Sequence, residues 1–201
     1  MKRNPLPLSF YTRSDVVQTA KDLLGKYLVT VVAGQITSGM IVETEAYAGA
    51  IDKASHAYGN RRTARTELMF RQGGIAYIYL CYGIHSLFNV VTNVEGIPHA
   101  VLIRGIIPIE GIELMLHRSG KKKADSKFGI GPGKVSKILG LHYSHTGLSL
   151  TKTQSEGFNI ECWIEKCKQS FDPQSIMATP RIGVDYAGDH AQWPYRFMLR
   201  Q

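Results

Sequence analysis

The sequence predicts a single α+β domain, residues 1–201, built on a mainly antiparallel β-sheet flanked by helices. Three observations carry that expectation. The chain has 201 residues, enough for one domain that buries about 70% of its unfolded surface and too few for two comfortable ones. One segment near the N-terminus has clear helical periodicity. Beyond it, strand-like segments follow one another at the spacing of hairpins, as neighbouring antiparallel strands do.

In chain order, Ser14 is placed to cap a helix running to about Leu24. Val16, Val17, Ala20, Leu23 and Leu24 form its apolar stripe, and Gly25 suits the position after its end. Residues 26–32 (KYLVTVV) and 39–47 (GMIVETEAY) read as strands, and 52–66 as a polar loop. Three more strands, 75–82, 87–93 and 99–104, turn at Gly83 and Gly96, with the first pair forming a protruding hairpin. Pro108 is expected to open a helix to about Arg118, and Gly133 or Lys134 another that Gly140 ends. Short strands are expected near Ser149, over 158–163 and over 195–199.

Composition narrows the class. Hydrophobic residues make up 44% and charged residues 20%, which excludes wholesale disorder and fibrous folds. Cys81, Cys162 and Cys167 contain no CxxC pair, as suits a reducing compartment. No apolar run reaches the roughly 18 residues of a membrane span, and the N-terminus lacks the apolar stretch of a secretory signal. The net charge of +8 points to a polyanion as partner, nucleic acid before membrane. Seven cations (Arg118, Lys121, Lys122, Lys123, Lys127, Lys134, Lys137) stand against one acid, Asp125, over 118–137. Arg61, Arg62, Arg65 and Arg71 form a second cluster, broken only by Glu67.

Three segments could carry chemistry. In a strand over 42–47, Glu43, Glu45 and Tyr47 share one face and Val42, Thr44 and Ala46 the other. Two carboxylates beside a tyrosine suit a cleft wall that activates water, or else the solvated face of an edge strand. In 77–83 (YIYLCYG), Tyr77 and Tyr79 share a face and Tyr82 stands at the hairpin tip, where an aromatic can stack on bases or wedge into a helix. Packing alone also places tyrosines in half-buried strands. The stretch 128–134 (FGIGPGK) is one residue short of a Walker A loop and has Val135 in place of the Mg²⁺-binding hydroxyl, which excludes an NTPase. A Gly-rich turn leading into a helix with Lys134 can still grip a nucleic-acid phosphate. The histidines and cysteines make no metal-ligand set, and no cofactor motif is present.

Taken in order, these residues resemble the alkyladenine (3-methyladenine) DNA glycosylase family of base-excision repair. The matching elements are VETEAY at 42–47, Asp52 with His56, RRTAR at 61–65, MF at 69–70 and YIYLCYG with Asn89. VLIRGIIPIEG at 101–111, GPGKVSKILGL at 131–141, and PRIGVDYAG with WPYRF over 180–197 complete the set. Several motifs in one order over nearly the whole chain are far more specific than any one of them.

The resemblance implies a curved sheet and an enzyme that needs no cofactor or metal. Its partner would be double-stranded DNA containing damaged purines: alkylated adenine or guanine, hypoxanthine or ethenoadenine. Glu45 corresponds to the general base that activates water, with Arg104 and the backbone carbonyl of Ile182 also holding that water. Tyr47 and Tyr79 would sandwich the extruded base. His56 would offer it a hydrogen bond, and Asn89 would help exclude normal purines. Tyr82 would be the wedge that fills the gap in the duplex, with Met69 near it. His85 stands where the family can carry a larger aromatic. No membrane is implied. The family precedent is a monomer, in a bacterial cytoplasm at the nucleoid or in a eukaryotic nucleus. The alternative from another class is a catalytically silent module that recognises distorted DNA and has no use for Glu45 or Arg104. An RNA-binding domain is a third reading.

Overall fold

The computed structural model describes residues 4–151, 157–167 and 172–200. A short helix α1 (Leu8–Tyr11) precedes α2 (Val16–Leu23), which is capped by Asp15 rather than Ser14: its carboxylate accepts the Gln18 amide. The change costs the helix nothing, because Asp is as good an N-cap as Ser. Gly25 takes φ +77°, the left-handed value expected just past the helix end.

The strands are β1 (Tyr27–Val32), β2 (Gln35–Tyr47), β3 (Ala76–Cys81), β4 (His85–Thr92) and β5 (His99–Glu110), followed by β6 (Ile160–Glu165), β7 (Ile176–Thr179) and β8 (Arg196–Leu199). They form one eight-stranded sheet in the order β3-β4-β5-β2-β1-β6, with β8 paired to β2 and β7 to β8. Every pairing between them is antiparallel. The sheet does not close into a barrel. Helices α3 (Ile112–Ser119) and α4 (Pro132–Leu139) pack on each other and on the sheet, so the architecture is α+β.

Long β2 is central, not an edge. One side pairs with β5 along its length; the other pairs with β1 first and with β8 from Glu43 to Glu45. The face alternation of period two therefore decides which residues meet. Val42 and Ala46 of β2, Ile78 of β3, Phe88 and Val90 of β4 and Val101 and Ile103 of β5 point into the main core under α2 and α4. Thr44 shares that face and ties β2 to α2 through a 3.0 Å bond to the Ala20 carbonyl. The opposite face carries Glu43, Glu45, Tyr47, Tyr77, Tyr79, Asn89, Leu102 and Arg104.

Pro108 does not open a helix. It lies within β5 opposite Gly39, at a register shift that leaves Ile109 as an extra residue before Glu110. A proline is tolerated there because a bulge does not need its missing N–H. The helix waits for Gly111, whose φ of +76° and tight approach to Ile36 and Thr37 admit only glycine. The strand expected near Ser149 is a single bridge to Ile75. Helix α1 and strand β7 were not expected. Each is only four residues long, too short for a periodic pattern.

Candidate active site

The second face of the sheet forms the floor and one wall of a cavity of about 290 Å³, close to the small end of ligand sites. Tyr77 and Tyr79 of β3, Asn89 of β4, Leu102 and Arg104 of β5 and Tyr47 of β2 line it. Two segments without strands cover it. One is the run of 3₁₀ turns over 49–70, which brings Ser55, His56 and Met69. The other is the chain after β7, which brings Ile182, Val184 and Tyr186.

Glu45 stands behind the cavity with no exposed surface. Its Oε1 accepts the Ile182 amide at 2.9 Å, and its Oε2 accepts the Tyr47 hydroxyl at 2.7 Å. Arg104 Nε lies 3.4 Å from the same Oε1 and 3.0 Å from Glu43 Oε1. Arg196 Nε reaches Glu43 at 2.6 Å, so two arginines and two carboxylates interleave. Backbone irregularity makes this possible. Glu43 pairs with Gly105 and Thr44 with Ile103, so Arg104 is the extra residue of a bulge, a device that re-aims a side chain. Gly105 leaves room for the Glu43 carboxylate, since a Cβ there would sit 3.0 Å from that of Glu43. Gly131 donates its amide to the Arg104 carbonyl at 2.8 Å, and a Cβ at Gly129 would collide with the Ile106 carbonyl. The Gly-rich turn is thus built against the bulge that presents Arg104.

The aromatic wall is packed and neutral. Tyr77 and Tyr79 rings lie 5.6 Å apart, and the His56 ring meets Tyr79 edge-on at 4.7 Å. Burial, then the Glu45 carboxylate, pushes the Tyr47 hydroxyl well above its ordinary value, so it stays a donor. Burial likewise raises Tyr77 and Tyr79. His56 is pushed down to about 4, by burial first and then by Arg65 and Arg61. Arg65 donates to His56 Nε2 at 3.4 Å, which places the imidazole proton on Nδ1, 2.9 Å from the Tyr77 hydroxyl. Asn89 donates to the Tyr77 and Leu87 carbonyls, both at 3.1 Å, which fixes its carboxamide on the cavity wall.

An ion pair that sequence reasoning missed fastens the cover. Arg181 grips Asp52 with two bonds, of 2.5 and 2.9 Å, and both side chains are fully buried. It also donates to the Ala46 and His190 carbonyls and lies against the Tyr47 and Tyr195 rings. Neither residue stands in a pattern that marks burial; the resemblance includes Asp52 and the PRIGVDYAG block but pairs neither with the other.

Among the expected residues, Glu45, Tyr47, Arg104 and Ile182 come together, with His56, Tyr79 and Asn89 around the adjoining cavity. The bond shown for Ile182 uses its amide, not its carbonyl. Met69 is buried at 2% exposure and reaches the cavity from the covering 49–70 segment, packed with Tyr77. Tyr82 is 91% exposed at the hairpin tip. There the Ile84 amide donates to the Cys81 carbonyl at 3.1 Å across a turn with Tyr82 at φ +51° and Gly83 at φ +73°, both in the left-handed region. His85 sits against Gly133 at the start of α4. Lys134 is exposed beside it, its amino group 3.2 Å from the Lys127 carbonyl.

The comparisons with known proteins agree with one another. A curated relative from Chlamydia abortus, named as a candidate 3-methyladenine DNA glycosylase, is 48% identical over 195 residues, covering 96% of this chain and 97% of its own. Relatives of the same description from Chlamydia pneumoniae and Bacillus cereus are each 46% identical, over 94% and 96% of this chain and 92% and 95% of theirs. The family model described as methylpurine-DNA glycosylase matches residues 9–201. With that family model over nearly the whole chain and relatives at 46–48% identity, the chain is a member of the methylpurine-DNA glycosylase family, a DNA glycosylase of base-excision repair.

Proposed function

We propose that this enzyme extrudes damaged purines from duplex DNA and hydrolyses the N-glycosidic bond with a water activated by Glu45. The observation that carries this is the carboxylate of Glu45, buried and oriented by Arg104, Tyr47 and the Ile182 amide at the back of an aromatic cavity.

A base inside a duplex cannot reach such a cavity. It must rotate out, at a cost of a few kcal/mol that is least for damaged pairs. Tyr82 offsets part of the lost stacking by entering the gap from the minor groove. Tyr47 and Tyr79 then hold the base between them. Purines alkylated at N3 or N7 carry a positive charge, which the faces of aromatic rings attract. Such bases are already good leaving groups, so the residues supply orientation and charge. Glu45 takes a proton from water as the oxygen bonds to C1′, the bond from C1′ to the base breaks, and its electron pair leaves with the base. Arg104 and the Ile182 carbonyl hold the water. Neutral hypoxanthine needs a proton as well. Among the described residues no lysine lines the cavity, which suits hydrolysis that leaves an abasic site without a strand nick. Lys134 and the other exposed cations contact phosphates, so the partner is damaged double-stranded DNA. With bacterial relatives, the place of action is a cytoplasmic nucleoid and the working unit a monomer.

The test uses duplex oligonucleotides with one hypoxanthine, ethenoadenine or methylated purine. Purified protein should create sites that break only after hot alkali. Breaks without alkali would overturn the monofunctional mechanism, and binding without any release would restore the silent binding module.

A further inference from the structure

Two arginines lie on the tyrosines proposed to hold the base, and their charges are handled differently. Arg181 sits with Cζ 4.8 Å from the Tyr47 ring centroid, and its charge is matched by the buried carboxylate of Asp52. Arg65 sits with Cζ 4.8 Å from the Tyr79 ring centroid. Among the described residues no carboxylate pairs with it; the nearby Glu67 is taken by Arg62 at 3.3 Å. Arg65 is not a wall of the cavity. It lines a neighbouring cleft of about 510 Å³ together with Lys53 and Arg61. His56 belongs to both spaces and receives the Arg65 guanidinium on Nε2.

We infer that Arg65 is a specificity-determining residue, whose uncompensated charge on the Tyr79–His56 wall disfavours cationic bases in the cavity relative to neutral ones. The inference rests on the reading that Tyr79 stacks on the extruded base. A cation on one face of an aromatic ring draws the π electrons toward itself, which leaves the other face less attractive to a second cation. A base stacked on Tyr79 would lie roughly 8 Å from the guanidinium, close enough for unit charges to interact across a half-wet wall. His56, held by Arg65 as its neutral Nδ1–H tautomer, adds no charge of its own, so on this wall the repulsion comes from Arg65. The aromatic pair alone would favour alkylated, positively charged purines strongly; Arg65 moderates that preference and keeps neutral lesions competitive.

The effect belongs to capture of the base, so it is read by binding rather than by turnover. Duplexes would carry one 2′-fluoro-arabino nucleotide, whose fluorine resists glycosidic cleavage, bearing either cationic 7-methylguanine or neutral ethenoadenine. Dissociation constants would be measured for wild type, Arg65→Gln, Arg65→Lys and Arg62→Gln. Taking the ratio between the two lesions cancels any shared loss of phosphate contact. Arg65→Gln should shift the ratio about tenfold toward the cationic base, while Arg65→Lys and Arg62→Gln stay within about twofold of wild type. A ratio unmoved by Arg65→Gln, or moved equally by Arg62→Gln, sinks the inference while leaving the glycosylase reading intact. Wild type that binds neither lesion better than undamaged duplex sinks both.

Discussion

The amide of Ile182 and the carboxylate of Glu45 are 137 positions apart in the chain and meet at 2.9 Å. The contact joins the centre of the sheet to the segment that closes the cavity. The residue before Ile182 is Arg181, locked onto Asp52 and laid against Tyr47, whose hydroxyl binds the other oxygen of Glu45. One buried ion pair thus touches both residues that hydrogen-bond the carboxylate, Ile182 as its chain neighbour and Tyr47 through its ring.

Breaking that pair should damage stability and activity together. Arg181→Met leaves Asp52 buried without its partner, and urea unfolding should show a loss of about 3–5 kcal/mol. The double variant Asp52→Leu with Arg181→Met removes the stranded charge and should recover much of that stability. It should not recover base release, because Ile182 and Tyr47 lose their support. Full recovery of release in the double variant would show that the clamp has no part in aiming Glu45.

Tyr82 makes the opposite prediction. Its ring is 91% exposed and its backbone sits at φ +51°, a conformation that costs a non-glycine residue roughly 1 kcal/mol. Tyr82→Gly should therefore stay within about 1 kcal/mol of wild type in thermal unfolding. Base release from duplex DNA should fall by the equivalent of about 1–3 kcal/mol of lost stacking. Release from single strands, which need no wedge, should change far less. A large loss of stability would mean the ring packs against the protein.

Stability should depend on pH through His56. Its folded value of about 4 lies below the unfolded 6.5, so between these values the unfolded chain binds the proton and the folded chain does not. Stability then rises with pH from about 4 to about 6.5, and the penalty is complete below that window. His56→Gln should flatten this part of the profile in urea unfolding at pH 4.5 and 7. An unchanged slope would mean that His56 charges freely in the folded protein.

Lys134 bears on the electrostatic footprint. If its ammonium meets a backbone phosphate, Lys134→Gln should weaken binding to damaged and undamaged duplex alike and lower the log–log salt slope by about 1. A variant with the wild-type slope would remove this end of α4 from the interface.

Much of this was legible in the sequence, for a definite reason. Period-two alternation in 42–47 and 77–82 reports which side chains share a face wherever the strand is regular. Glu45, Tyr47 and Tyr79 are therefore legible as sharing the face that meets the cavity. The glycine-bounded turn put Tyr82 at a hairpin tip. Longer-range facts were hidden. Local pattern does not tell an edge strand from a central one, so the burial of Glu43 and Glu45 was open. Pro108 reads as a helix start until the bulge opposite Gly39 is seen to spare its missing N–H. Asp52 and Arg181 are 129 positions apart and look like surface charges. Arg104 gains its aim from a bulge that no residue type announces.

The most direct test of the whole reading is Glu45→Gln in single-turnover base release with enzyme in excess. Glutamine keeps the shape and can still accept the Ile182 amide, so fold and DNA affinity should hold. Release should fall by about 10²–10⁴, the usual worth of a positioned general base. A variant that binds damaged duplex normally and releases the base at the wild-type rate would contradict the assignment of Glu45 as the residue that activates water.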